Sequence, residues 1–324
     1  MTDSLSFKGP LFIVGAGRSG TKLLRRFLNN HSSISLTIFE TKFIPDFIAW
    51  EQKKSRSQLS IDHYFSFLKD TTFYHRASRQ KPLDESLIKS NIPSNEPADF
   101  IENILKYYSV KFHNFDTFNY IWGDKSPLYL RHTDLLFGLY PSAKILHIIR
   151  DPRDVALSYR KTWGKSLSGT AEKWRSLMAQ SGNIRNPNYF ELHYEDLIQA
   201  PEKILTNICD FLDIPYEPSM GELNKEVEKS STSGQTNKIL RNNFQKYKQA
   251  LNSRQVQKIE RITKKYLLLK GYSLENDNID YKPLSSIQKD VLRITDFLSF
   301  IYHLIKEEDF KTAMLQLKYV FKNI

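Results

Sequence analysis

Short apolar runs that give way to helix-spaced patterns recur along this chain and predict its secondary structure. Residues 10–14 are apolar and rich in strand formers, and a loop with three glycines follows. Helical spacing then begins, because the apolar residues of 23–28 fall on one helix face and the basic ones on others. Strands are also predicted at 34–36, within 120–127, at 143–150 and within 189–197. Strands that alternate with helices predict an α/β fold with a central, mostly parallel sheet and helices on both faces.

The pattern changes beyond residue 272. An acidic, polar linker at 275–280 precedes a tail whose apolar residues recur at helical spacing. We therefore predict a main domain over residues 1–272 and a helical C-terminal extension over residues 273–324. We expect the extension to pack against the body or a second subunit, while peripheral contact with a membrane surface stays open as an alternative.

Composition narrows the classes of protein to which this chain can belong. With 40% hydrophobic and 13% aromatic residues, its 324 residues can bury a sizeable core, which excludes global disorder. The formal net charge of +11 favours anionic partners. No stretch approaches the roughly 18 apolar residues of a membrane span, and the first residues lack a signal-peptide pattern. We therefore expect a cytoplasmic protein without a membrane span.

Cysteine and histidine usage points away from metal and thiol chemistry. The single cysteine, Cys209, excludes an intramolecular disulfide and a cysteine-cluster metal site. It lies in an apolar helical pattern, so we expect it to be packed in the core. His31 directly follows the first predicted helix, where we assign it a structural role. No group of histidine, cysteine or carboxylate residues has ligand spacing, so no metal is predicted.

The loop after the first predicted strand has the features of a phosphate cradle. Its glycines allow a tight turn, a helix N-terminus follows, and residues 18–21 add one cation and two hydroxyl groups. A plain strand-to-helix connection remains an alternative. The spacing also fits the nucleotide-binding pattern Gly-x-x-x-x-Gly-Lys-[Ser/Thr], except that Thr21 and Lys22 are transposed. That transposition disfavours an ordinary ATPase or GTPase, because one helical step rotates a side chain by about 100°.

A second anion-binding element is predicted at the end of the strand at 143–150. Arg150 ends this strand, and Pro152 with nearby acidic residues marks the start of a helix. Ser158 lies two turns into that helix, so Arg150 and Ser158 can converge on one anion.

Taken together, these motifs resemble those of sulfotransferases that use 3′-phosphoadenosine-5′-phosphosulfate (PAPS). The run 18–21, followed by a helix and His31, looks like the 5′-phosphosulfate loop of that family. The element from Arg150 to Ser158 closely resembles its 3′-phosphate element. The motif pattern is closest to that of tyrosylprotein sulfotransferases, and the missing N-terminal anchor suggests a bacterial-type relative. The resemblance ends near Tyr272. Residues 43–116 lie where the sequences of such enzymes vary, so they do not identify the acceptor substrate.

The resemblance implies a role for each matching residue. Glu40 would act as the general base on an acceptor hydroxyl, and Lys125, with Arg18, would stabilise charge on the transferring and leaving groups. Without the family, Glu40 is an ordinary surface carboxylate and Lys125 a loop lysine paired with Asp124. The implied PAPS-binding residues are Gly17, Arg18, Ser19, Gly20, Thr21, Lys22, Arg150, Ser158, Tyr194 against the adenine and, provisionally, Lys238 on the 3′-phosphate side.

The predicted reaction is in-line transfer of a sulfuryl group from PAPS to an acceptor hydroxyl on a glycan, a tyrosine, a lipid or a small metabolite. Neither a metal nor a nucleic-acid partner is expected, and a homo-oligomer stays open. Two other functions also stay open. One is a nucleotide-dependent kinase built on a related loop, and the other is a catalytically inert nucleotide-binding module.

Overall fold

The computed structural model describes residues 5–54, 59–109, 120–223 and 240–307, together with residues 314 and 317. One five-stranded sheet lies at the centre, and its strands in chain order are β1 (Leu11–Gly15), β2 (Ile34–Leu36), β3 (Ile121–Lys125), β4 (Lys144–Ile149) and β5 (Tyr189–His193). The order across the sheet is β2-β3-β1-β4-β5, and every pairing is parallel. The predicted α/β fold with a parallel sheet is confirmed.

Helices connect the strands and continue beyond the last of them. The α-helices within the described ranges are α1 (Thr21–Asn29), α2 (Ile44–Glu51), α3 (Ile61–Lys69), α4 (Thr72–Ala77), α5 (Glu85–Asn91), α6 (Pro97–Tyr107), α7 (Thr133–Leu139), α8 (Pro152–Trp163), α9 (Leu167–Ser181), α10 (Tyr194–Gln199), α11 (Pro201–Leu212), α12 (Tyr247–Ala250), α13 (Ser253–Leu269) and α14 (Ser286–Glu307). Two 3₁₀ helices lie at Pro127–Arg131 and Pro218–Gly221.

The central strand β1 separates two apolar cores. Phe12 and Val14 pack into the core that contains α2, α6, α8 and α9, whereas Leu11 and Ile13 pack into the core that contains α1, α10 and α11. Successive side chains of a strand point to opposite faces, so one alternating run supplies both cores. Helices therefore cover both faces of the sheet, as predicted, and the strand is buried along its whole length.

Helix α1 is more deeply buried than its amphipathic pattern predicts. Its apolar face is buried, but so are Arg25 and Arg26, which the pattern places on other faces. Arg25 donates a hydrogen bond to the backbone oxygen of Ile38, where the chain leaves β2. A long-range partner of this kind cannot be recognised from helical spacing.

Cys209 and His31 have the structural surroundings that were predicted for them. Cys209 lies fully buried in α11, and burial raises the pKa of its thiol to about 11. His31 is buried after α1, where its Nε2 lies 2.8 Å from the backbone oxygen of Pro215 and its Nδ1 accepts from the Ser33 amide.

The last described helix, α14, contacts α8 and α9 through polar groups. The Ser166 amide donates to Asp296 Oδ1 at 2.8 Å, and Ser299 Oγ donates to the backbone oxygen of Trp163 at 2.6 Å. Lys289 adds an ion pair with Glu172. Apolar residues of α14, by contrast, are exposed: Ile287, Val291, Ile294, Leu298 and Tyr302. Across the described ranges, no helix combines the length and apolar character that a membrane crossing needs.

Candidate active site

The loop between β1 and α1 turns through two residues with left-handed backbone conformation. Arg18 has a φ of 68° and Gly20 a φ of 94°. A Cβ atom on Gly20 would lie 2.3 Å from Cδ2 of Tyr194, and one on Gly17 would lie 2.1 Å from the Tyr159 hydroxyl. The loop contains glycines because two tyrosine side chains press directly against its backbone.

The same loop leaves donors available at the start of α1. Gly20 is the N-cap residue and offers no side-chain acceptor, and the first turn of the helix has no acidic residue. Ser19 is fully buried, and its Oγ has no hydrogen-bond partner among the described residues. Thr21 is buried and Lys22 half-buried in the first turn. Free amides and a positive dipole end make such a helix start suitable for an anion.

A second group of polar residues lies at the adjacent carboxyl end of β4. Arg150 donates from Nη1 to the backbone oxygen of Arg18 at 3.2 Å and from Nη2 to that of Asn243 at 2.8 Å. Arg18 Nε in turn donates to Ser158 Oγ at 3.0 Å. Because β1 and β4 are parallel neighbours, their two loops meet at one edge of the sheet.

Aromatic residues enclose this pair of guanidinium groups. The Arg150 guanidinium lies 4.3 Å from the ring centroid of Tyr194, whose hydroxyl accepts from Asn243 Nδ2 at 2.7 Å. Arg18 lies 5.4 Å from the Trp163 ring. Burial, together with the nearby Arg150 charge, lowers the pKa of Arg18. The two cations therefore share a partly desolvated position, which an anion with several charges would stabilise.

Glu40 and Lys125 form a second polar group near the ends of β2 and β3. Lys125 Nζ donates to Glu40 Oε1 at 2.7 Å, and Lys42 Nζ lies 2.7 Å from Glu40 Oε2. The Lys125 side chain is 6% exposed and that of Glu40 is 26% exposed, so part of the Glu40 side chain is accessible from solvent. Burial alone would raise the pKa of Glu40, but the two ammonium groups outweigh it and hold that pKa well below its ordinary value.

Tyr159 of α8 lies between the two groups. Its hydroxyl approaches Gly17, while its ring packs 5.0 Å from that of Trp163. Burial, reinforced by the negative charge of Glu40, raises its pKa to about 12. Lys173 of α9 lies on the same side, 5.9 Å from the Tyr159 ring, and burial with the charges of neighbouring cations lowers its pKa to about 8.

Most of the residues predicted from the sequence lie in these two groups. The first group contains the loop residues 17–22 together with Arg150, Ser158 and Tyr194, and the second contains Glu40 and Lys125. The Lys125 ammonium pairs with Glu40, and its positive charge also acts on the neighbouring Asp124 carboxylate. Lys238 lies outside the described residues, and Arg241 is exposed.

Four polar side chains at the site were not predicted from the sequence. Of these, only Lys42 could have been recognised from the sequence, because it follows the predicted site residue Glu40 by two positions. The others are Tyr159, Lys173 and Asn243, which reach the site only through packing of α8, α9 and the segment before α12.

Comparison with known proteins identifies the family. A sequence model of the Sulfotransferase family matches residues 10–218, which include both groups of site residues. This chain belongs to the sulfotransferase family. It is 26% identical over 221 residues to protein-tyrosine sulfotransferase A of Caenorhabditis elegans, covering 64% of this chain and 50% of that protein. For protein-tyrosine sulfotransferase 1 of Danio rerio the identity is 24%, over 65% of this chain and 54% of that protein.

Solved structures agree on the fold of this sulfotransferase-family chain. The sulfotransferase domain of the Synechococcus PCC 7002 olefin synthase superposes with a TM-score of 0.53 at 23% identity, covering 79% of this chain and 95% of that domain. The sulfotransferase domain of the curacin biosynthetic pathway gives 0.52 at 20% identity, covering 83% of this chain and 99% of that domain. The chain spans about half the length of the two protein-tyrosine sulfotransferases that it matches.

Replacing Gly20 by alanine is expected to lower the free energy of unfolding by about 1–3 kcal/mol. The new methyl group would meet the Tyr194 ring, and a left-handed backbone strains any residue with a Cβ atom. Gly138→Ala in α7 is the matched control, because its added Cβ would have no neighbour within 4 Å and alanine favours a helix. Chemical denaturation of both variants tests this, and equal stability of the two would contradict it.

Proposed function

We propose that this chain transfers the sulfuryl group of PAPS to the hydroxyl of an acceptor. The observation that carries the proposal is a pair of buried donors left without partners on two adjacent loops. Ser19 Oγ follows β1 and Arg150 Nε follows β4, and neither has a hydrogen-bond partner among the described residues. Buried polar groups are nearly always satisfied, so both atoms fit a missing ligand with phosphate at two ends.

Each of the two loops would bind a different end of this donor. The backbone amides of 17–21 and the start of α1 would hold the 5′-phosphosulfate, together with Lys22. Arg150 and Ser158 would hold the 3′-phosphate, and Tyr194 would lie against the adenine. A nucleoside with phosphates at both positions would then occupy the desolvated position that Arg18 and Arg150 share.

Glu40 and Lys125 would carry the chemistry. PAPS supplies an activated sulfuryl group whose bridging oxygen gains negative charge as the bond to sulfur breaks. The positive charge of Lys125, held beside Glu40, would stabilise the charge on that oxygen. Glu40 is ionised and partly exposed, so it would take the acceptor proton, with a basicity that the two neighbouring ammonium groups reduce.

Calorimetry with adenosine 3′,5′-bisphosphate and AMP tests the donor assignment. Wild-type protein is expected to bind the bisphosphate at least tenfold more tightly, because a hydrogen bond to a charged group contributes about 1.5–3 kcal/mol. Arg150→Ala should abolish this preference, and Ser158→Ala, which removes a single hydroxyl, should reduce it. Arg185→Ala, at an exposed arginine outside the site, is the control. Equal affinity for the two nucleotides would overturn the proposal.

The acceptor class is a separate question. Both named relatives are protein-tyrosine sulfotransferases, so peptide tyrosine is the first acceptor to try. Labelled PAPS incubated with fractionated cell extract would identify a sulfated product among peptides, glycans, lipids and small metabolites.

A further inference from the structure

The segment that carries Glu40 is fastened along the end of strand β3. After β2 ends, the Thr37 amide donates to the backbone oxygen of Gly123 at 3.1 Å. Thr37 Oγ1 donates to Asp124 Oδ1 at 2.8 Å, and Thr41 Oγ1 donates to Asp124 Oδ2 at 2.7 Å. One carboxylate thus binds both ends of the stretch 37–41, which has Glu40 near its end.

The donor and acceptor roles in the hydrogen bonds from Tyr129 through Thr41 to Asp124 are fixed. Thr41 uses its only proton on Asp124, so its oxygen accepts from the Tyr129 hydroxyl at 2.7 Å, and that hydroxyl accepts from the Ile44 amide at 3.2 Å. Asp124 and Thr41 are buried, so water cannot substitute for these partners. An acceptor-only carboxylate completes the network at Thr41, where an amide would offer a donor to a hydroxyl that already donates. Thr37 Oγ1 also lies 3.2 Å from the backbone oxygen of Phe39, which is a second acceptor for its one proton.

The network joins two pairs of adjacent residues. Thr41 follows Glu40 and Asp124 precedes Lys125, so the Thr41–Asp124 bond lies one residue away from the Glu40–Lys125 bond. The Lys42 amide extends this contact by donating to Ser126 Oγ at 3.3 Å. These contacts tie together the backbone positions next to Glu40 and Lys125.

We propose that Asp124 is a positioning residue, which sets the placement of Glu40 against Lys125 through the hydroxyls of Thr37 and Thr41. The proposal rests on the function proposed above, in which Glu40 and Lys125 act on the transferring group. Asp124 itself touches neither the acceptor nor the donor. Its effect on the reaction passes through the geometry of the neighbouring pair, where an error of about 1 Å can reduce a rate by roughly 10²-fold.

The variants Thr41→Val and Thr41→Ser test this proposal without creating a buried unpaired charge. Valine keeps the shape of threonine and removes the hydroxyl, while serine keeps the hydroxyl. We expect Thr41→Val to lower kcat by about 10²-fold and Thr41→Ser to stay within a few-fold of wild type. The affinity for adenosine 3′,5′-bisphosphate should be unchanged in both, because that ligand is assigned to the loops after β1 and β4.

A double-mutant cycle separates positioning from general loss of structure. If Thr41 acts through Glu40, adding Thr41→Val to Glu40→Gln should lower kcat no further. An independent effect of the two changes would overturn the proposal, as would equal kcat values for Thr41→Val and Thr41→Ser.

A readout that needs no catalysis distinguishes failure of this proposal from failure of the proposed function. A crystal structure of Thr41→Val should show a longer distance between Glu40 Oε1 and Lys125 Nζ than the 2.7 Å of the wild-type protein, and one of Thr41→Ser should not. That result supports positioning even if the wild-type protein transfers no sulfuryl group. An unchanged Glu40–Lys125 distance in Thr41→Val overturns positioning even if the wild-type protein is active.

Discussion

Lys125→Met is expected to lower kcat by roughly 10³-fold, the upper part of the range for removing one preorganised donor from a developing charge. The Lys125 ammonium is almost completely buried and lies 2.7 Å from Glu40, so no solvent cation can take its place. Methionine has a similar length and no charge, which limits the change in packing. Steady-state kinetics at saturating donor measures the effect.

Lys144→Met is the matched control for this variant. Lys144 is the first residue of β4, so it lies at the amino end of the strands, whereas the two loops follow their carboxyl ends. Its ammonium donates to the backbone oxygen of Phe211. We expect kcat of Lys144→Met to stay close to that of wild type. A comparable loss in both variants, or normal turnover in Lys125→Met, would remove Lys125 from its proposed role.

Glu40→Gln should lower kcat by about 10²-fold or more while leaving the affinity for adenosine 3′,5′-bisphosphate unchanged. Glutamine preserves the size of the side chain and one acceptor oxygen, but it cannot take a proton from the acceptor. Comparison of kcat with a calorimetric Kd measures the two effects separately. Unchanged turnover would show that another group, or solvent, accepts the proton.

Glu40 also makes the stability of the fold depend on pH. Because its pKa is lowered in the folded state, stability falls as the pH falls. Its ionised form contributes stability that is fully present above the ordinary carboxyl pKa of about 4.3 and is lost as the pH falls toward the folded-state value. Glu40→Gln leaves Lys42 and Lys125 without their shared carboxylate. The variant should therefore be less stable than wild type near neutral pH, and the difference should narrow as the pH falls below about 4.

Sequence patterns predicted the parts of the site that are local in the chain. The turn after β1 and the helix start after Arg150 each lie within about ten residues, where glycines, prolines and strand formers act directly on the backbone. Glu40 and Lys125 were each proposed from a family motif. Their contact joins residues 85 positions apart, and helical or strand spacing contains no information about such a contact.

Burial of polar groups was the least predictable feature. Arg25 was assigned to a face of α1 other than the apolar one, yet it is fully buried and donates to the backbone oxygen of Ile38. Asn243 and Tyr159 reach the site through the packing of distant helices. The two strands before the anion-binding loops were expected to be neighbours, as β1 and β4 are, but the order of the whole sheet was not predicted. An alternating strand-helix pattern specifies parallel pairing without saying which strands are adjacent.

The contacts beneath Arg150 have a consequence for how this chain can be shortened. Arg153 is buried between Asp151 and Glu260, at 2.7 Å and 2.6 Å, and Glu260 belongs to α13. Asn243 likewise supplies acceptors and donors to Arg150 and Tyr194. A fragment limited to residues 10–218 would lack both Glu260 and Asn243, so Arg153, Arg150 and Tyr194 would each lose a partner that the family-matched span does not contain. A shortened chain that keeps these partners must therefore extend beyond that span, at least to Glu260.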